Sequence, residues 1–237
     1  MYQEINVHYL EDTFYLSDID YPLENNVYVL DDYLNSAIHH ALDNHLNHAA
    51  WQKTNEVKGS TTNRGGLPNH SLWGTSFYRH RDRGESESIS KNHPPHIVRF
   101  LDRKLRTDFG FEWVRFQYAG GNSQTHGQHG TSHQDCNLDN DWNLSFLYYT
   151  NKFWNPNWGG KLRFYSENIQ TGIKEDMDRY EIGSCDFKPN RLLMFDGRIP
   201  HGAEGPDERA QYIDRRSIVI RGDEIELLDS EQRYANH

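Results

Sequence analysis

The sequence predicts a mainly β (α+β) protein: a double-stranded β-helix, or jelly roll, flanked on its N-terminal side by helices. Three observations carry this. Between Phe111 and Arg221 short apolar runs and turn residues alternate, giving about eight strands in roughly 110 residues. Upstream, two stretches show helical periodicity instead. Aromatic residues make up 13% of the chain, with 6 Trp, 14 Tyr and 11 Phe, which suits a packed strand-rich core and argues against disorder. A length of 237 residues fits one domain over 1–237, with N-terminal helices, strands and loops over 1–110, a jelly-roll core over 111–222 and a C-terminal tail over 223–237.

The elements follow in order. Residues 1–26 mix Tyr, Ile and Leu with acids and read as short strands and turns. A strand over 27–30 leads into an amphipathic helix on which Leu34, Ala37, Ile38, Ala41, Leu42 and Leu46 recur, with Asp31 or Asp32 as N-cap. His39, His40, His45 and His48 lie on or beside it; with no carboxylate or Cys partner at matching spacing, they read as a solvated polar face. Polar loops over 58–70 and 83–92 flank a strand over 71–78, and long loops of this kind are where substrate-covering segments are expected. Pro94-Pro95 starts a second helix through Ile97, Val98, Leu101 and Leu105.

From Phe111 the pattern becomes strands and turns. A strand over 111–118 carries Val114, Phe116 and Tyr118 on one face, and a Gly-rich turn follows it as far as Gly130. Next come the strand holding His133 and Asp135, a strand over 142–150, an aromatic loop over 153–158, and a strand over 161–165 opened by Gly159-Gly160. Further strands are expected at 180–187, 191–195, 199–204 and 212–221, and no internal repeat is present.

Charge and cysteine content exclude several functions. A formal net charge of −10 argues against binding phosphate backbones, and the run Arg79-His80-Arg81-Asp82-Arg83 is too short to reverse that. Two cysteines, Cys136 and Cys185, give no disulfide framework and suit a reducing compartment. Acids scattered from Glu4 to Asp20 leave no signal-peptide core, and no apolar run approaches membrane-spanning length. The expectation is a cytoplasmic protein with no nucleic-acid or membrane partner. Its oligomeric state is not legible.

The chemistry centres on His133-Gln134-Asp135. On a strand, period-two alternation puts His133 and Asp135 on one face and turns Gln134 to the other. His201, in Pro200-His201-Gly202 and 66 positions beyond Asp135, would complete a 2-His-1-carboxylate triad that leaves three octahedral positions open. A zinc site built from His126, His129 and His133 competes poorly, because those gaps fall in a Gly-rich turn without helical support. Alone, His201 could equally be a buried, hydrogen-bonded histidine.

On the last strand, alternation puts Arg215, Ser217, Val219 and Arg221 on one face with Ile218 and Ile220 on the other. If the isoleucines pack under the helices, Arg215 points into the barrel, where a guanidinium needs a carboxylate partner. A dicarboxylate ligand would supply one. Cys136 should point away from the metal and be structural.

At this point the sequence resembles the Fe(II)- and 2-oxoglutarate-dependent oxygenases, in particular their prolyl 4-hydroxylase-like branch. The matching parts are His133-Gln134-Asp135, Phe146-Leu147-Tyr148-Tyr149-Thr150-Asn151, Gly159-Gly160-Lys161-Leu162-Arg163-Phe164, Asn190-Arg191-Leu192-Leu193-Met194-Phe195, Pro200-His201 and Arg215-Arg216-Ser217-Ile218. They occur in the family's order from Phe111 to Arg221. The resemblance implies that His133, Asp135 and His201 hold Fe(II), that 2-oxoglutarate chelates it, and that Arg215 and the Tyr149 phenol take the far carboxylate. Tyr118 matches a second tyrosine of that pocket. Ser217 would line the same pocket, and Leu162, with Phe164, would supply apolar wall. O2 is the implied cosubstrate, and ascorbate a candidate accessory.

The 14-residue gap from His201 to Arg215 leaves Arg209 and Arg216 as alternative carboxylate partners, although phase favours Arg215. Arg221 lies on the same face at the barrel mouth, in a position to contact an acidic substrate. The functional expectation is a hydroxylase acting on an unactivated C–H bond, with peptidyl proline as the substrate the resemblance implies. The alternatives are the same chemistry on a free amino acid or other small metabolite, and a non-catalytic jelly-roll binding module. Against the module stands the joint presence of His133, Asp135, His201 and Arg215.

Overall fold

The structure is a computed structural model that describes residues 4–19, 23, 25–56, 71–79, 94–130, 132–135, 143–166 and 180–229. Its organising element is β6 (Asn143–Tyr149), whose seven residues are all buried. A strand buried on both faces must be covered on both, and alternation shows by what. Phe146 and Tyr148 join one apolar cluster with Leu42, Leu46, Val98, Leu101 and Leu105 of the helices. Leu147 and Tyr149 join a second cluster with Leu162, Phe164 and Phe187.

The neighbouring strands repeat this division. β9 (Leu192–Asp196) sends Leu192 and Met194 to the helices and Leu193 and Phe195 to the other cluster. β11 (Arg215–Leu227) sends Ile218 and Ile220 to the helices, as expected from the sequence.

Among the described residues the strands form two sheets. The larger has the order β1 (Asn6–Leu10), β2 (Asn26–Leu30), β9, β6, β11, β5 (Phe111–Gln124), β4 (Ser71–Arg79), β3 (Gln52–Glu56). The smaller has the order β10 (His201–Ala203), β7 (Leu162–Tyr165), β8 (Glu181–Cys185). The second apolar cluster joins residues of the two sheets; α1 (Ser36–Asn47) and α2 (His96–Phe109) contribute to the first. This is the mainly β architecture the sequence predicts. No helix among the described residues is long and apolar enough to cross a membrane.

Several details differ from the sequence expectations. The N-cap of α1 is Asn35, whose side chain accepts from the Ile38 amide at 3.0 Å; neither Asp31 nor Asp32 caps the helix. His39 is buried, its Nδ1 lying 2.7 Å from the Tyr148 hydroxyl and its Nε2 3.1 Å from the Asn151 carbonyl, so it does not belong to a solvated face. A polar side chain with two buried partners looks from the sequence like a surface residue, because its partners lie more than a hundred positions away.

The expected turn after Tyr118 is instead strand: β5 runs on through Gly120 and Gly121 to Gln124, paired with β4 and β11. The glycines serve close approach there, since a Cβ on Gly121 would meet Thr75 at 2.9 Å and Leu46 and Trp51 at 3.2 Å. At the other end β11 continues past 222 to Leu227, opposite Phe111, so the expected tail from 223 begins as core strand. Between Arg221 and Gly222 the partner register jumps from Tyr118 to Phe116, so Gln117 is the extra residue of a bulge in β5. β3, polar throughout, gave no strand signal and lies at the sheet edge. The expected loops over 58–70 and 83–92 lie outside the described residues, as does Cys136.

Candidate active site

His133 and Asp135 do not sit on a regular strand. His133 forms an isolated antiparallel bridge with His201, each amide donating to the other's carbonyl at 2.9 Å, and the Asp135 amide donates to the Gly197 carbonyl at 2.8 Å. The expected outcome nonetheless holds, because the local backbone is extended enough to alternate. Gln134 turns away and donates from Nε2 to the Arg198 carbonyl at 2.7 Å, while His133 and Asp135 face His201.

One ligand atom from each of His133, Asp135 and His201 lies within 4.8 Å of the others. His133 Nε2 is 3.4 Å from Asp135 Oδ1, and His201 Nε2 is 3.6 Å from Oδ2. A single ion with bonds of about 2.1 Å spans ligand pairs at such separations.

The surroundings prepare these groups to bind a cation. His201 Nδ1 is 2.8 Å from the Ile199 carbonyl; a carbonyl can only accept, so Nδ1 carries the proton and Nε2 presents its lone pair. Burial pushes the His201 pKa down to about 4, with Asp135 opposing, so the ring is neutral at physiological pH. Burial works against ionisation of Asp135, but Arg221 and the two imidazoles override it and hold the carboxyl well below the usual range. Ser145 donates to Asp135 Oδ2 at 2.6 Å and Arg221 Nη1 donates to Oδ1. Gly197 allows this crowding, since a Cβ there would lie 2.9 Å from Ser145 Oγ and 3.1 Å from Asp135 Cβ.

A second polar pocket is built around Arg215, which is 1% exposed. Its Nε donates to the Gly160 carbonyl at 2.8 Å and its Nη1 to Gln124 Oε1 at 3.0 Å. The guanidinium lies 4.9 Å from the Tyr149 ring centroid and 5.1 Å from that of Phe187. Arg215 Nη2, the Tyr149 hydroxyl and Ser217 Oγ are all buried without a hydrogen-bond partner. Three such orphans, one of them cationic, are costly unless a ligand meets them. Burial lowers the Arg215 pKa, with Tyr149 opposing, and pushes the Tyr149 phenol up to about 12, so the phenol keeps its proton as a donor. The set has the chemistry to bind a carboxylate.

Other sequence-nominated residues fall as follows. Leu162 is buried in the same apolar cluster as Tyr149. Arg216 faces the helices and donates to Asp43 at 2.9 Å, and Arg209 is exposed and pairs with Asp207, so neither reaches the pocket. Tyr118 is not beside Arg215: the β5–β11 register sets it opposite Arg221, whose guanidinium lies 4.8 Å over its ring. Arg215 and Arg221 are six residues apart, about 20 Å along a strand. His126 Nδ1 lies 3.1 Å from the Pro206 carbonyl and His129 Nδ1 accepts from the Gly205 amide at 3.1 Å; both brace a loop, and among the described residues the candidate metal group comprises His133, Asp135 and His201 without them.

The sequence reading missed Gln124, Trp154 and Phe187. Gln124 was hidden because the strand signal stops at the glycines. Phe187 packs 4.2 Å from Tyr149 and 4.5 Å from Trp154, centroid to centroid, and nothing in the local pattern distinguishes these two from ordinary core.

Comparison with known proteins bears on the class of the domain. Residues 116–220 match the model of the 2OG-Fe(II) oxygenase superfamily, so the chain carries an oxygenase domain of that class, whose members use Fe(II), 2-oxoglutarate and O2. No curated protein matches the chain. Among solved structures it is similar to a 2OG-Fe(II) oxygenase family oxidoreductase from Burkholderia pseudomallei, at 11% identity and TM-score 0.53 over 92% of this chain and 95% of that one. It is also similar to SnoK, a non-heme alpha ketoglutarate dependent carbocyclase of nogalamycin biosynthesis, at 8% identity and TM-score 0.55 over 89% and 86%. A Pseudomonas putida prolyl-4-hydroxylase matches at 17% identity and TM-score 0.49 over 83% and 92%. At these identities the likeness concerns the fold alone.

Proposed function

We propose that this enzyme hydroxylates an unactivated C–H bond, with His133, Asp135 and His201 as iron ligands and Arg215, Tyr149 and Ser217 as the seat of the far carboxylate of 2-oxoglutarate. Bound Fe(II) and 2-oxoglutarate supply O2 activation coupled to decarboxylation, so that 2-oxoglutarate, O2 and R–H become succinate, CO2 and R–OH. The observation that carries the reading is the orphaned pair Arg215 Nη2 and Tyr149 Oη on the same inward phase of the sheet that leads to the triad.

The chain's own residues do the rest. Ile199 holds the proton of His201 on Nδ1, Ser145 orients Asp135, and Gly160 with Gln124 aims Arg215. Trp154 and Phe187 wall the carboxylate seat against water, which strengthens its ion pair. Peptidyl proline is the substrate favoured by the order of motifs from His133 to Ser217. A free amino acid or similar small acid is the second reading, favoured by the cation Arg221 beside the triad.

Anaerobic addition of Fe(II) and 2-oxoglutarate should produce a visible metal-to-ligand charge-transfer band. In air, a panel of prolyl peptides and free amino acids should release succinate in step with product. No band and no succinate would replace this reading with a binding module.

A further inference from the structure

We propose that Arg221 is the docking point for a carboxylate of the substrate, so that the enzyme acts on a molecule or acidic peptide segment whose anionic group lies beside the carbon oxidised; this rests on the function proposed above. Arg221 leaves β11 on the inward phase, opposite the point where Gln117 makes a bulge in β5, with a side chain one-quarter exposed. Across the strand pair its neighbour is Ser145, which holds Asp135, and beneath it lies the Tyr118 ring. The guanidinium therefore sits at the open side of the triad, where His133 is itself part-exposed.

Its donors are only partly used. Nη1 holds Asp135, the sole side-chain hydrogen bond Arg221 makes among the described residues, and Nε is buried with no partner. The Nε–Nη2 edge is the side-on fork that grips a carboxylate with two parallel bonds.

Charge gives the second argument. Among the described residues, Arg198 is neutralised by Asp196 at 2.6 Å and Arg115 by Asp223 at 3.1 Å. A divalent ion, the Asp135 carboxylate and a 2-oxoglutarate dianion together leave one negative charge. Arg215 and Arg221 turn that into a surplus of one positive charge, and a poorly solvated site favours neutrality. One substrate carboxylate supplies it, whereas the neutral backbone of an internal proline does not. A peptide substrate would therefore need an acidic residue near the target.

The test uses the full chain loaded anaerobically with Fe(II) and 2-oxoglutarate, and follows the charge-transfer band as probes are added. The probes are matched pairs: free L-amino acids including proline against their amides, and prolyl peptides with Glu against the same peptides with Gln. In at least one pair the carboxylate should bind about tenfold or more tighter than its neutral partner, the value of a charged hydrogen-bond pair. In Arg221→Gln protein that has loaded, as its own band with 2-oxoglutarate reports, that preference should be erased.

If Arg221→Gln fails to load, Arg221→Lys, which keeps a cation at Asp135 but lacks the fork, carries the comparison and should lose most of the preference. The free-acid and peptide arms separate the two sources of the carboxylate. No preference in any pair, or a preference that survives both substitutions, overturns the proposal. A wild-type protein that gives no band overturns the oxygenase reading itself.

Discussion

Replacing Arg215 with Met should separate cofactor binding from folding. Arg215 is fully enclosed, and among the described residues its side chain donates to two neutral acceptors, Gly160 O and Gln124 Oε1. Removing one member of a buried ion pair costs about 3–5 kcal/mol, so the dissociation constant for 2-oxoglutarate should rise by roughly two to three and a half orders of magnitude. Folding responds the other way, because a buried cation with an empty donor is a liability to the cofactor-free chain, and Met fills similar volume. Its melting temperature should therefore stay level or rise.

Anaerobic titration of the charge-transfer band reads the affinity, and thermal denaturation with and without 2-oxoglutarate reads the rest. At a hundredfold excess over the dissociation constant the ligand stabilises the wild type by about 2.7 kcal/mol, and this shift should vanish in Arg215→Met. Arg216→Met is the control: it breaks the 2.9 Å pair with Asp43 on the helix side and should lower stability by about 3 kcal/mol while sparing 2-oxoglutarate affinity. An Arg215→Met protein whose affinity stays within fivefold, or an Arg216→Met protein with the larger loss, would refute the reasoning.

Three further outcomes are expected. Tyr149→Phe removes one buried donor and should weaken 2-oxoglutarate binding about tenfold, measured by the same titration. Cys185, a buried thiol whose pKa burial pushes from 9.0 up to about 12, contributes stability that is complete below pH 9 and lost as pH rises toward 12; at pH 10.5 the loss is about 2 kcal/mol, and Cys185→Ala should flatten that slope in alkaline melting curves. Gly160→Ala places a Cβ 3.1 Å from Trp154 and 3.3 Å from Arg215 Cδ at a φ of +83°, and should cost about 1–3 kcal/mol of stability together with part of the cofactor-induced shift in melting temperature.

Much of this site is legible in the sequence because it is written in alternation. One imidazole and one carboxylate two residues apart, and Arg215 in phase with Ser217 and Arg221 but out of phase with Ile218 and Ile220, are period-two facts that survive any error in strand boundaries. The boundaries themselves were less legible. Gly120 and Gly121 read as a turn because local propensity does not record that Leu46, Thr75 and Trp51 crowd that spot. His39 read as surface because its partners, Tyr148 and Asn151, lie more than a hundred positions further along the chain. That Tyr118 meets Arg221 was not legible, because its neighbour is set by β5–β11 register, a long-range quantity. Gln124 was lost with the strand that carries it.

The double burial of β6, β9 and β11 has a consequence for how this protein can change. Consecutive residues serve opposite clients: Tyr148 meets His39 of α1 while Tyr149 meets Arg215, and Arg216 ties Asp43 while Arg215 faces the pocket. Inserting or deleting one residue in any of these strands would trade the two sets, sending the cofactor's anchors into the helices and the helix anchors into the cavity. Drift in length must therefore be confined to the connections, while the strands can vary only by exchange of one side chain for another.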